Sequence, residues 1–262
     1  MSWPYHFISL SEDDKLHRRE LLDLRGYYAQ LSIAMVILAI RTFRFTTGST
    51  AKRDGPVSAK TRRYLVCGVW LSWLLGLSIW NSGEDYLHLT KALGHVGLSQ
   101  LPLQVLMSPG DISHPEASSV MSVVTGIPQR VLTPYHRLFG RTVVVLLLAH
   151  ATLYTLFFVQ SSHPEFGILF YKRVEDLDVQ CGMLAILSAA LLFLFVRPTS
   201  QQATQSLQGT LQERRKTFYY GHVSLVVLLC IAAYFHVQQA QKYILQTLAA
   251  SMLNWVCSRV VG

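Results

Sequence analysis

Long apolar runs, separated by short basic intervals or intervals rich in glycine, serine and proline, set the pattern of the chain. About 20 helical residues are needed to cross a hydrocarbon core of roughly 30 Å. Stretches of about that length cover 24–40, 64–80, 133–159, 179–196, 218–237 and 243–260. A seventh, 86–107, is weaker because it contains Lys91, His88, His95 and Pro102. In lipid each backbone polar group must find an internal partner, so spans of this kind are helical. The pattern predicts an all-α integral membrane protein, a bundle of about seven transmembrane helices within 24–260, preceded by a polar segment, 1–23. That segment, MSWPYHFISLSEDDKLHRRE, lacks the apolar core of a secretory signal, so the first apolar helix is expected to direct insertion. The interval 108–129 reads as a loop or a partly re-entrant connector, and no internal repeat is visible.

Composition agrees, with 51% apolar residues and 15% charged. The formal charge of +8 lies in the intervals between apolar runs and not in a patterned stripe, which argues against nucleic-acid binding and for basic cytoplasmic loops. The interval after the first span carries Arg41, Arg44, Lys52, Arg53, Lys60, Arg62 and Arg63 against Asp54 alone, and is expected inside. The next, NSGED, has no base and is expected outside. With seven spans, Arg130, Arg137 and Arg141 return to the cytoplasmic side, the interval 161–178 is external, and Arg197, Arg214, Arg215 and Lys216 fall inside with Arg259. The N-terminus is then outside and the C-terminus cytoplasmic. Without the weak span the last basic interval would lie outside, which is why seven is preferred. Cys67, Cys181, Cys230 and Cys257 all lie in apolar runs without CxxC or CxxCH spacing, which excludes covalent c-type haem attachment.

Four histidines carry the candidate chemistry. Thirteen residues separate His136 from His150 in the fourth span, and thirteen separate His222 from His236 in the sixth. Fourteen helical steps turn about 1400°, ~40° short of four full turns, and rise about 21 Å. Each pair therefore occupies nearly one helix face at two depths. The two spans run in the same direction, which sets His136 level with His222 and His150 with His236. Two facing imidazoles at each level are what a six-coordinate b-type haem requires, with no open axial position. A single intramembrane histidine more often makes an interhelical hydrogen bond, but the same spacing on two parallel helices favours ligation. His88 and His95 share one face of the weak span and read either as hydrogen-bonded packing or as a metal or haem-edge contact. His163 reads as a solvated loop residue, or with Glu165 and Asp178 as an aid to an approaching ferric chelate. Tyr219, Tyr220 and Tyr234 read as haem-edge contacts, the first two equally as interfacial anchors.

These residues resemble the transmembrane domain of ferric reductases and NADPH oxidases. The likeness is carried by PYHRLFGRTVVVLLLAHATLY (Pro134–Tyr154), by FYYGHVSLVVLLCIAAYFH (Phe218–His236), and by Trp255 with Arg259. It spans roughly Tyr64 to Arg259, and the equal gaps are more similar to fungal metalloreductases than to oxidases. The resemblance implies two stacked b-type haems, with His136 and His222 on the inner one and His150 and His236 on the outer one. Arg137 and Arg141 lie near the inner level, where they would pair with haem propionates or serve as positive-inside anchors.

Complete enzymes of the resembled family continue into a flavin-binding barrel and a nicotinamide-binding domain. This sequence stops at SRVVG without a glycine-rich dinucleotide fingerprint, and its HPE tripeptides at His114 and His163 lie in loops. FAD and NADPH are thus expected only through a separate flavoprotein partner. The leading expectation is a metalloreductase-like oxidoreductase passing electrons to ferric iron or another acceptor outside. The alternatives are a specialised membrane oxidoreductase acting on a small metabolite, and a non-enzymatic membrane subunit or truncated remnant.

Overall fold

The computed structural model describes residues 5–8, 10–47, 58–109, 117–195 and 211–261, without the side chains of 47, 195 and 211–215. Lys52, Arg53, Asp54, His114 and Arg197 lie outside the described residues, as do the side chains of Arg214 and Arg215. The described chain is helical apart from one small hairpin, an isolated backbone bridge and its connections, and it is an all-α membrane fold. Its elements are α1 (Glu12–Thr47), α2 (Ala59–Ile79), α3 (Tyr86–Ser99), α4 (Leu101–Leu106), α5 (Val120–Thr125) and α6 (Gln129–Gln160). The hairpin of β1 (Ser162–His163) and β2 (Gly167–Ile168) follows, then α7 (Leu169–Val174), α8 (Leu177–Phe195), α9 (Leu211–His236) and α10 (Gln238–Val261). Helices over Glu12–Thr46, Gln129–Gln160, Leu177–Leu194, Lys216–His236 and Gln238–Val261 are long and apolar enough to cross a membrane. Their outward residues include Leu31, Leu38, Leu187, Leu194 and Phe235, all exposed. So much exposed apolar surface would drive association in water, whereas lipid is its natural cover.

Two compact units form, one from 1–150 with 245–262, the other from 151–244. In the first, α3 packs against α1 and α2 and is buried almost all round, including Leu89, Ala92, Leu93 and Val96. The segment expected as one span over 86–107 is two helices meeting at Gln100, because Pro102 supplies no backbone N–H and takes a first-turn position of α4. Asp85 caps α3 by accepting from the Leu87 and His88 amides. Helix α1 begins at Glu12, inside the segment expected to be merely polar, with Glu12, Asp13 and Asp14 in its first turn, where the helix dipole favours negative charge. Leu103, Met107, Met121 and Leu132 form an apolar core that joins α4 and α5 to the start of α6. Asn254 of α10 accepts from the Val120 amide at 2.9 Å and donates to the Ser108 carbonyl at 3.0 Å, tying that helix to the connector.

In the second unit α8 lies along α9. Ser188, Ala189, Ala232 and Ala233 are all buried, and small side chains of this kind let two apolar helices approach closely without a hydrophobic drive between them.

Candidate functional site

All four histidines are partly buried, so protein alone does not enclose the rings. His136 and His150 stand on α6, His222 and His236 on α9. The fixing of the rings is informative. His150 Nδ1 lies 2.8 Å from the Thr90 carbonyl oxygen, His236 Nδ1 2.6 Å from that of Asp178, and His136 Nδ1 2.9 Å from that of Gln104. A carbonyl oxygen only accepts, so each Nδ1 carries the hydrogen and each Nε2 keeps its lone pair. This is the tautomer and the outer hydrogen bond that metal-ligating histidines usually show.

A helix interior seldom offers a carbonyl to an outside donor, and the local sequence explains why these three are reachable. Thr90 and Asp178 are each followed four residues later by a glycine, Gly94 and Gly182. A Cβ at Gly94 would stand 2.8 Å from His150 Nδ1, and one at Gly182 would stand 2.7 Å from His236 Cε1. The absent Cβ is what lets each ring lie against the neighbouring helix and reach the carbonyl one turn back. At Gln104 the helix end does the same, because the Ser108 amide donates to Val105 and leaves the Gln104 carbonyl to His136. His222 is held differently, with its ring stacked on Phe218 one turn earlier, centroids 5.7 Å apart at 26°.

Arg137 is exposed and Arg141 partly buried on the same helix as His136. Near that histidine, Tyr135 and Trp70 both pack against Phe139, and Trp70 Nε1 donates to Gln100 Oε1 at 3.3 Å. Of the other histidines, His95 pairs with Asp23 at 3.1 Å, and His88 is buried at the start of α3. His163 Nδ1 accepts the Glu165 and Phe166 amides at 3.3 and 3.4 Å, so its ring closes its own hairpin. Among the described residues no group of three or more His, Cys, Asp or Glu side chains gathers as a metal cluster, and all four cysteines are free thiols.

The residues that sequence reasoning passed over are Thr90, Gly94, Gln104 and Gly182, and with them the part played by the Asp178 carbonyl. Their signal was faint but physical: glycine inside a helix costs about 0.5–1 kcal/mol relative to alanine, so interior glycines of α3 and α8 require a reason, here a ring in close contact.

Three of the four imidazoles are thus held in the tautomer with the lone pair on Nε2, and the fourth, His222, is stacked on Phe218. A neutral imidazole nitrogen in this tautomer is the kind of group that an axial position of a haem iron takes. No curated protein and no solved structure matches the chain. The family of the ferric reductase like transmembrane component matches residues 93–233, more than half of the sequence, taking in His136, His150 and His222 and ending three residues short of His236. The chain belongs to the ferric reductase-like transmembrane family.

Proposed function

We propose that the chain carries electrons across a bilayer through two b-type haems, His136 and His222 holding the inner one and His150 and His236 the outer one. Transmembrane electron transfer is the function class its family supplies. The observation that carries the finer reading is the repeated thirteen-residue gap, joined to three Nδ1–H donations that fix the tautomer metal-ligating histidines usually show. Bound haem supplies a one-electron ferric–ferrous couple. The chain's part is to hold each ring in one orientation and to raise the basicity of Nε2 through the carbonyl on Nδ1, a lever on affinity and potential. Arg137 and Arg141 are proposed to offer their guanidinium groups to propionates at the inner level. In this reading α2 and the α3–α4 pair complete seven crossings, with the N-terminus outside and the C-terminus cytoplasmic. Electrons come from a separate cytoplasmic flavoprotein that binds FAD and NADPH, and leave to an external acceptor such as a ferric chelate.

Haem stoichiometry tests this most directly. The purified full chain is expected to hold two haems and to show b-type bands in a reduced-minus-oxidised spectrum. His150→Ala or His236→Ala should lower the count to one. A chain that folds in detergent and takes up no haem on reconstitution overturns the proposal.

A further inference from the structure

Arg25 has no exposed surface, although it is a charged residue on α1. Its Nη2 donates to the Trp80 carbonyl, while Nε and Nη1 find no hydrogen-bond partner among the described residues. His88, 2% exposed, likewise leaves Nε2 without a partner among the described residues. Arg18 and Arg25 are both held on the 80–85 turn that leads into His88, so the neighbourhood is cationic. Its buried acid is already committed, since one Asp85 oxygen pairs with Arg18 at 3.2 Å and the other caps α3. Asp23 is engaged by His95.

A buried cation without a counter-charge is costly, and its unmet N–H groups add the desolvation penalty of each. An anion would relieve both. Residues 5–8 lie along the turn between α2 and α3: the His6 amide donates to the Glu84 carbonyl at 2.7 Å, the Tyr86 amide to the His6 carbonyl at 3.0 Å, and Tyr5 Oη lies 3.3 Å from Ser82 Oγ. Arg18 and Arg25 donate to carbonyls of the same turn, at Ser82 and Trp80. Asn81 and Gly83 both take positive φ there, so the turn is a sharp local structure and not a helix extension.

We propose that Arg25 and His88 form an anion site for a carboxylate, entered when the 5–8 strap parts from the 80–85 turn. Two sources share that chemistry, a free polycarboxylate such as the one that solubilises ferric iron, and a propionate of a bound haem. Citrate is the probe for the first. At constant ionic strength, citrate should raise the unfolding temperature of the full chain by a few degrees, as expected for a ligand held by the folded state alone. Arg25→Met and His88→Phe should each abolish the rise. Methionine removes the uncompensated charge at similar volume, so this variant is expected to fold, and His88→Phe gives an independent reading should it not. For the second source, haem uptake is compared between native haem and its dimethyl ester. A loss of uptake in Arg25→Met that occurs with native haem and disappears with the ester assigns the carboxylate to the cofactor. Only this second arm rests on the haem reading, because a chain without haem still gives the citrate result. No citrate response in the wild type, together with equal treatment of both haems by Arg25→Met, overturns the site.

Discussion

His150 and His236 reach their carbonyls because the residue facing each ring has no Cβ. At Gly94 an added methyl group would meet His150 Nδ1 at 2.8 Å and Cγ at 3.0 Å, and at Gly182 it would meet three atoms of His236 within 3.2 Å. Alanine at either place gains helix propensity of the order of 1 kcal/mol but must displace an anchored ring, an overpacking that typically costs about 1–3 kcal/mol. The net expectation for Gly94→Ala and Gly182→Ala is a folded chain with one imidazole turned from its carbonyl and haem content reduced from two toward one, read by pyridine haemochrome assay against protein mass. Gly68→Ala, where nothing lies within 4 Å, is the control and should leave haem content unchanged. At this scale the sequence displayed the histidines and hid what holds them. The spacing of His136, His150, His222 and His236 follows from helix geometry alone. The acceptors on Thr90 and Gln104 belong to another helix, and the backbone carbonyl that each offers is the same in every residue type.

Elements differ in how far their roles could be read. Hydropathy marked 86–107 as a weak span because of its polar residues, but what decides its structure is its surroundings: α3 is buried in protein, where Thr90 Oγ1 donates to the Tyr86 carbonyl, Ser99 to that of Val96, and His95 pairs with Asp23. These polar groups, costly in lipid, are satisfied there, with His88 Nε2 the exception, and the break at Gln100 is read from Pro102 more than from hydropathy. The loop before α8 makes a similar point with charges. Asp176 accepts from Lys172 at 2.7 Å and also pairs with Arg173, which reaches Asp178 at 2.9 Å, and the Asp178 carbonyl in turn holds His236. The Lys172 hydrogen bond, helped by the charges of Arg173 and Lys172 against a smaller opposing effect of burial, holds the Asp176 carboxyl below its ordinary range. A depressed folded-state pKa contributes stability above the unfolded value, near 4 for aspartate, and that contribution is lost as pH falls through the folded value. Hydrogen exchange of Leu169–Gln180, corrected for intrinsic rates, should therefore be flat from pH 8 to about 5 and rise below about pH 4. Asp176→Asn should show the faster exchange at every pH. A wild-type profile as flat below pH 4 as above it would remove the loop from any part in positioning His236.

For the whole molecule the question is why the proposed path uses two haems and not one. The hydrocarbon core is about 30 Å thick. Fourteen residues along a helix separate the two levels by about 21 Å, so one level alone leaves most of the bilayer uncrossed, whereas two stacked groups shorten each remaining gap. The proposed direction, from a cytoplasmic donor through His136 and His222 to His150 and His236, makes the inner level obligatory for transfer but not for reduction from outside. Vesicles containing the full chain, with an impermeant reductant enclosed and ferric citrate outside, should form external ferrous iron, detected by an impermeant chelator. His136→Ala and His222→Ala should bring that rate down to the background of empty vesicles, while dithionite added outside still reduces the remaining haem. This combination separates a broken path from a lost fold, because a misfolded chain would lose the outer spectrum as well. Transfer at the wild-type rate after loss of the inner pair would mean that electrons enter by another route, and the two levels would then have to be read as separate sites.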